Sequence, residues 1–366
     1  GIKGFKEYFA VKALPNPTVM KLMLDYGFGF DCSSVPELAL SRRLGASGDH
    51  IMFTSNNTSG RQFEAAVADG GCILNLDDIT LISKMVHTPE LICFRYNPGA
   101  LREGNTIIGN PVEAKYGVSH DQIVDAYTRS VAMGVKRFGI HTMLASNELD
   151  YAYMVETARM LLSVVKEINE KLGITFESIN IGGGLGIPYL PDAAAFDLDA
   201  MAREITTLFN TFESDNGWVP ALYMESGRFI TGPHGVLATR VINHKAIYRN
   251  YVGVDASMSS LMRPGMYEAY HHIHILGKET VQGIKKVDVV GALCENNDKF
   301  AIQRDLPVTE EGDLLIIHDT GAHGHAMGFN YNGHLRPKEL LLRQDGSVEL
   351  IRRAETMDDY FATLEF

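Results

Sequence analysis

Lys12 closes an apolar, β-leaning run, Tyr8-Phe9-Ala10-Val11-Lys12-Ala13, which is an unusual place for an ammonium group. A lysine is rarely left unpaired in an apolar core, because its desolvation is costly. The same desolvation lowers its pKa, so a lysine placed this way is expected to attack a carbonyl and hold it as a Schiff base. Taken alone, the residue reads more plainly as a side chain snorkelling to water from a strand end. The other reactive constellations of the chain weigh against that.

Asn180-Ile181-Gly182-Gly183-Gly184-Leu185-Gly186 is a glycine run after an apolar strand pattern. Glycines there let backbone N–H groups approach an anion, and phosphate is the usual guest, although turns need glycine for their own reasons. Glu225-Ser226-Gly227-Arg228 is a second glycine-bearing turn, and its arginine suits an oxyanion. A phosphate grip, a lysine and a carboxylate converging on one site imply pyridoxal phosphate. Lys12 would hold the aldehyde, and Glu225 would pair with the pyridine nitrogen and keep the ring an electron sink. The plainer role for Glu225 is a partner for Arg228.

These residues need a scaffold that brings strand ends together. Eight strand patterns, at 8–13, 27–33, 50–55, 72–77, 90–96, 137–144, 176–182 and 221–225, alternate with helical patterns. Pro36–Leu44, Gly60–Asp69, Asp121–Met133, Met154–Lys171 and Asp199–Ser214 are among the latter. The alternation predicts a (β/α)8 TIM-type barrel over residues 1–234, with its chemistry at the C-terminal strand ends. Lys12, Asp31, Asn56, Asp77, Arg95, His141, Gly182–Gly184 and Glu225 all fall at such ends. From residue 235 to 366 short strands at 236–242, 251–254, 272–276, 287–291, 313–317, 339–343 and 348–352 predict a C-terminal all-β domain.

The 366 residues are 45% hydrophobic, enough for one large core and a second, smaller one. With 33 basic against 45 acidic residues the net charge is −12, and no basic tract occurs, which argues against nucleic acid or an anionic membrane as partner. No long apolar run or signal-peptide pattern appears, so a soluble cytoplasmic enzyme is expected. Cys32, Cys72, Cys93 and Cys294 show no close paired spacing, so no disulfide framework or zinc site is expected. His271-His272-Ile273-His274 reads as a strand whose neighbours face opposite ways, so no metal is assigned there either.

The chain resembles the fold-type III pyridoxal phosphate decarboxylases, the alanine racemase-like barrels, and among them the diaminopimelate decarboxylases. The residues that carry this run in family order over nearly the whole chain: YFAVKALPNP from Tyr8, GFDCSS from Gly29, GGGLGIPY from Gly182, ESGR from Glu225, RPGMYEAYH from Arg263, CENNDKF from Cys294, GAHG from Gly321 and YNGHLRP from Tyr331. The resemblance implies that Lys12 is the Schiff-base lysine and that Asp31 lies near the cofactor. It implies that Ser146, Gly182, Gly183, Gly184, Ser226, Gly227 and Arg228 hold the phosphate region, and that His323 stands where a tyrosine usually contacts cofactor or substrate. It also implies that Cys294 reaches the site from the neighbouring subunit of a homodimer. A thiol there can protonate a carbanion as a general acid.

Several positions depart from the family pattern. Met143 stands where relatives place a histidine that packs on the pyridine, and Ala145 replaces a glycine beside Ser146. Ser226 replaces a proline, and the segment before Lys12 is short, so an incompletely represented N-terminus is expected. For the substrate, the resemblance gives Arg263, Tyr267 and Arg228 to a distal carboxylate and Glu295 to a distal ammonium. An acid and a base together suit meso-diaminopimelate, whose decarboxylation yields L-lysine, the last step of lysine biosynthesis. The alternative is another substrate of the same fold, such as D-ornithine, D-lysine or carboxynorspermidine.

Overall fold

A computed structural model describes residues 2–104, 109–281 and 283–366. Its first part is a closed parallel ring of strands β1 (Lys6–Ala10), β2 (Gly29–Cys32), β3 (Gly48–Ser55), β4 (Cys72–Leu76), β5 (Leu91–Asn97), β6 (Arg137–His141), β7 (Ser178–Asn180) and β8 (Ala221–Met224). Each pairs with the next, and β8 returns to β1, placing Lys6 opposite Tyr223 and Glu7 opposite Met224. The expected (β/α)8 barrel is therefore present. Strands buried on both faces explain why the sequence shows apolar runs instead of alternation. Tyr8, Met52, Ile73, Leu91 and Cys93 form one apolar cluster, with Tyr223 packed against it.

Helices α1 (Pro17–Asp25), α2 (Val35–Arg43), α3 (Gly60–Val67), α4 (His120–Ala132), α5 (Tyr151–Leu172) and α6 (Leu198–Asn216) connect the strands, with a 3-10 turn (Ile79–Lys84) after β4. Their ends follow local chemistry. Asn16 caps α1 by accepting from Thr18 N–H at 3.0 Å, with Pro17 at the first helical position. Gly173 and Gly217 end α5 and α6 in the left-handed region that glycine tolerates.

Several barrel strands are shorter than their apolar patterns, among them β2, which keeps Gly29–Cys32 of 27–33. The run at 8–13 leaves the sheet at Ala10 and turns into a 3-10 segment, Val11–Ala13. The patterns at 137–144 and 176–182 keep only Arg137–His141 and Ser178–Asn180 as strand. Val11, Ala13, Leu144 and Ile181 stay buried as loop at the barrel's C-terminal end, where burial makes them look like strand.

The chain divides into two compact units, Gly1–Ile187 with Ala194–Ile230, and Pro188–Ala193 with Thr231–Phe366. The second unit holds β9 (Leu237–Ala246), β10 (Asn250–Val254), β11 (Ile273–Ile275), β12 (Ile284–Val290), β13 (Lys299–Pro307) and β14 (Leu314–Ile317), ordered β11-β14-β9-β10-β12-β13 in one sheet. A separate hairpin joins β15 (Glu339–Leu342) to β16 (Val348–Arg352). Val241, Val252, Val289, Phe300, Leu315 and Ile317 lie in the core of the six-stranded sheet. This is the expected mainly β unit. The strand that the sequence pattern misses is β13, whose register against β12 shifts twice between Val287 and Val290 and breaks the apolar alternation. No helix among the described residues is long and apolar enough to cross a membrane.

Candidate active site

Within the barrel unit, the predicted residues gather at the C-terminal ends of the strands. Lys12 leaves the turn after β1, and its Nζ lies 3.4 Å from Oδ2 of Asp31, the buried third residue of β2. The Lys12 side chain is half-exposed at the barrel mouth. Desolvation pulls its pKa down, but Asp31 and Glu225 outweigh it and hold the ammonium above its ordinary range. The expected lowering is thus reversed, because the strand ends early and the lysine faces two carboxylates. Burial, then the Glu225 charge, pushes the Asp31 carboxyl up against the pull of Lys12.

Glu225 follows β8 and is buried. Its Oε1 accepts from Asn180 Nδ2 at 2.7 Å, and Oε2 lies 3.2 Å from Nε2 of His141, the last residue of β6. Burial alone would raise its pKa, but His141, Lys12 and Asn180 hold it below the ordinary carboxylate value. Glu225 is therefore an anion at neutral pH, and it does not need Arg228 for that. Arg228 donates instead to Ser146 Oγ at 3.3 Å.

The glycine run threads between the loops after β6 and β8. Asn180 Oδ1 accepts from Gly182 N–H at 2.8 Å, so one asparagine fixes both the glycine turn and Glu225. A Cβ on Gly183 would lie 2.3 Å from the Glu225 carbonyl oxygen, and one on Gly184 2.4 Å from that of Ala145. Gly184 also needs a φ of 96°, so no larger residue fits without moving a strand end. Met143 Sδ accepts from Gly183 N–H at 3.3 Å, which ties the thioether to the turn. Arg95, Asp77 and Asn56 form an adjoining buried group. Arg95 lies 3.5 Å from Asp77, reaches Asn56 Oδ1 at 3.4 Å and the Met143 carbonyl at 3.3 Å, and stacks on the Tyr116 ring.

The remaining predicted residues belong to the second unit. Arg263 is buried with its guanidinium 4.8 Å from the Tyr189 ring centre, while Tyr267 is exposed at the end of the same short helix. Cys294 is exposed, and its N–H donates to Asn332 Oδ1 at 2.7 Å. The Arg263–Tyr267 helix packs on the Cys294 loop, since a Cβ on Gly265 would meet the Asn297 carbonyl at 2.4 Å. Asp298 pins that loop by accepting from Met258 N–H at 2.6 Å and Leu293 N–H at 2.8 Å. Glu295 lies in the loop, and His323 occupies a left-handed backbone position with φ of 59°. Of the histidines in the 271–274 run only His274 lies on β11, and its Nδ1 is 2.7 Å from His318 Nε2; His271 and His272 precede the strand.

A closed parallel barrel with a glycine cradle and an arginine after its last two strands, and a lysine and a carboxylate facing each other inside, has what a pyridoxal phosphate enzyme requires. The residues fit the group: the cradle admits no side chain, Arg228 suits a phosphate, and Glu225 is ionised to meet a protonated ring nitrogen. Residues 2–232 match the family model described as pyridoxal-dependent decarboxylase, pyridoxal binding domain. The chain is 47% identical over 99% of its length to Protein TabA of Pseudomonas amygdali pv. tabaci, covering 86% of that protein. It is 36% identical over 97% of its length to the diaminopimelate decarboxylase of Methanothermobacter thermautotrophicus, covering 84% of it. The crystal structure of the diaminopimelate decarboxylase of Methanocaldococcus jannaschii superposes with a TM-score of 0.91 at 29% identity, covering 100% of this chain and 85% of that one. The chain belongs to the pyridoxal-dependent decarboxylases, and its cofactor is pyridoxal phosphate.

Proposed function

We propose that the chain decarboxylates meso-diaminopimelate to L-lysine and CO2. The observation that carries this reading is its 36% identity, over 97% of its length, with an enzyme named for that substrate. A related solved structure is titled as a complex with L-lysine. Bound pyridoxal phosphate supplies an electron sink for the pair left behind when a C–CO2 bond breaks. In this reading Lys12 is the attachment residue, and Asp31 holds its ammonium until the cofactor arrives. Gly182, Gly183, Gly184, Ser146, Ser226, Gly227 and Arg228 hold the phosphate region. Glu225 faces the ring nitrogen as an anion, positioned by His141 and Asn180. Cys294 delivers the proton from Sγ, and the dimer partner supplies it. Arg263 and Tyr267 receive the distal carboxylate, Glu295 the distal ammonium, and His323 contacts cofactor or substrate. The working form is a cytoplasmic homodimer.

A second reading, decarboxylation of another diamino acid, draws on the 47% identity to a relative whose name carries no substrate. Met143 and His323 are the departures that favour it. Purified chain with added pyridoxal phosphate should form lysine and CO2 in equal amounts from meso-diaminopimelate. Turnover of a different diamino acid with no lysine from diaminopimelate would favour the second reading.

A further inference from the structure

Glu7 is a carboxyl group inside the barrel that the reading above leaves unused. It lies on β1, five positions before Lys12, opposite Met224, and it is only 9% exposed. Its Oε1 accepts from the Ser226 N–H at 2.5 Å. The other side of that residue is also bound to β1, because Ala10 N–H donates to the Ser226 carbonyl at 3.4 Å. Gly227 packs on the same segment so closely that a Cβ there would lie 2.7 Å from Cβ of Ala13. The strand that delivers Lys12 thus grips the one residue standing between Glu225 and the Gly227-Arg228 turn.

We propose that Glu7 is a positioning residue for the cofactor: through the Ser226 amide it fixes the Glu225–Arg228 turn, and so sets the ring-facing carboxylate and the phosphate-facing arginine together relative to Lys12. The grip depends on a residue with an N–H at position 226, which serine provides and proline would not. It rests on the barrel's cofactor, not on which amino acid is decarboxylated. An acid in this place must also avoid a second negative charge beside Glu225. Glu225 is surrounded by His141 on β6, Asn180 on β7, Lys12 after β1 and the Asp31 carboxyl on β2; His141, Lys12 and Asn180 keep it ionised, and its charge in turn pushes the Asp31 carboxyl up. Among the described residues Glu7 has no cationic partner, so burial, with Glu225 adding to it, pushes it up to about 8 against the pull of Ser226. Near neutral pH Glu7 is the neutral acid of the pair and Glu225 the anion. As pH rises past that value, ionised Glu7 repels Glu225 and strains the turn.

The test is the pyridoxal phosphate dissociation constant of the purified full-length chain, read by absorbance between pH 6 and pH 9.5, with thermal melting of the cofactor-free form alongside. Glu7→Leu leaves the buried Ser226 N–H without its acceptor, and its cofactor affinity at pH 7 should fall about fivefold to a hundredfold. Glu7→Gln keeps a carbonyl acceptor and should retain most of the affinity. Wild-type affinity should decline above about pH 8, and Glu7→Gln should lose that decline. Should Glu7→Leu not fold, the comparison of wild type with Glu7→Gln still decides. Wild-type affinity in Glu7→Leu, equal damage in both variants, or the same alkaline profile in wild type and Glu7→Gln would each overturn the proposal.

Discussion

Glu7 and Glu225 are the same residue type in one barrel, yet their surroundings drive their protons in opposite directions. His141, Lys12 and Asn180 compensate the burial of Glu225, whereas the groups that pull Glu7 down all belong to Ser226 and do not outweigh its burial. The consequence for stability has a definite sign. The folded chain keeps the Glu7 proton up to about 8, while an unfolded chain releases it near the ordinary glutamate value of 4.5. Folding therefore becomes less favourable as pH climbs through that window. Glu7→Gln cannot ionise, so it should melt above the wild type at pH 8–9, and the gap should close below pH 4.5. Differential scanning fluorimetry at several pH values measures this; a constant gap would show that folding leaves the Glu7 proton affinity unshifted. Lys12 and the two glycine-bearing turns are legible in sequence because their residue types are odd for strand ends. Glu7 is not, and His141 and Asn180 are legible only as positions at strand ends, because their roles lie in partners across the barrel. The Glu7–Ser226 contact spans 219 positions and the Asn180–Glu225 contact 45.

At the scale of elements, the loops after β6, β7 and β8 behave as one interlocked unit. Gly183 lies against the Glu225 carbonyl, Gly184 against Ala145, and Glu148 N–H donates to Gly184 at 2.8 Å. Gly183→Ala forces a methyl group into a 2.3 Å approach, so the β8 end must move. Overpacking of this kind costs about 1–3 kcal/mol, and here it falls on the cradle, so cofactor affinity should drop about fivefold to a hundredfold. Equilibrium titration with pyridoxal phosphate checks it, and unchanged affinity would place the phosphate elsewhere. Element positions were mostly readable from period and end signals, as α4, α5 and α6 illustrate. Strand ends at the barrel mouth were not, because buried loop residues such as Ala13 and Leu144 are as apolar as strand. The same limit concealed β13, where bulges disrupt the alternation that marks a strand.

For the whole molecule, the proposed division of labour places Lys12 and Cys294 in different units of the chain and, in a homodimer, in different subunits. Lys12→Ala and Cys294→Ala should each be nearly inactive alone. Mixing them under conditions that exchange subunits should restore up to about a quarter of wild-type activity, since hybrid dimers carry one intact site of two and form half of a random mixture. Confirmed exchange without recovery would mean that both residues act within one chain. The barrel followed by a β unit was legible at this scale because two textures of sequence meet near residue 235. The assignment of Pro188–Ala193 to the second unit was not, because a six-residue excursion leaves no compositional trace.

The central claim, a distal carboxylate recognised by arginine, is tested most directly by kcat/KM for meso-diaminopimelate and for L-ornithine, measured on wild type and on Arg263→Met. Arg263 is buried, so removing it leaves the incoming carboxylate without one of its cationic partners. Loss of one charge-assisted hydrogen bond is worth about 1.5–3 kcal/mol, which predicts a fall of about 10- to 150-fold for diaminopimelate. Ornithine has no such carboxylate, and its low turnover should hold or rise. Unchanged diaminopimelate turnover in Arg263→Met, or a wild type that already prefers ornithine, would contradict the account.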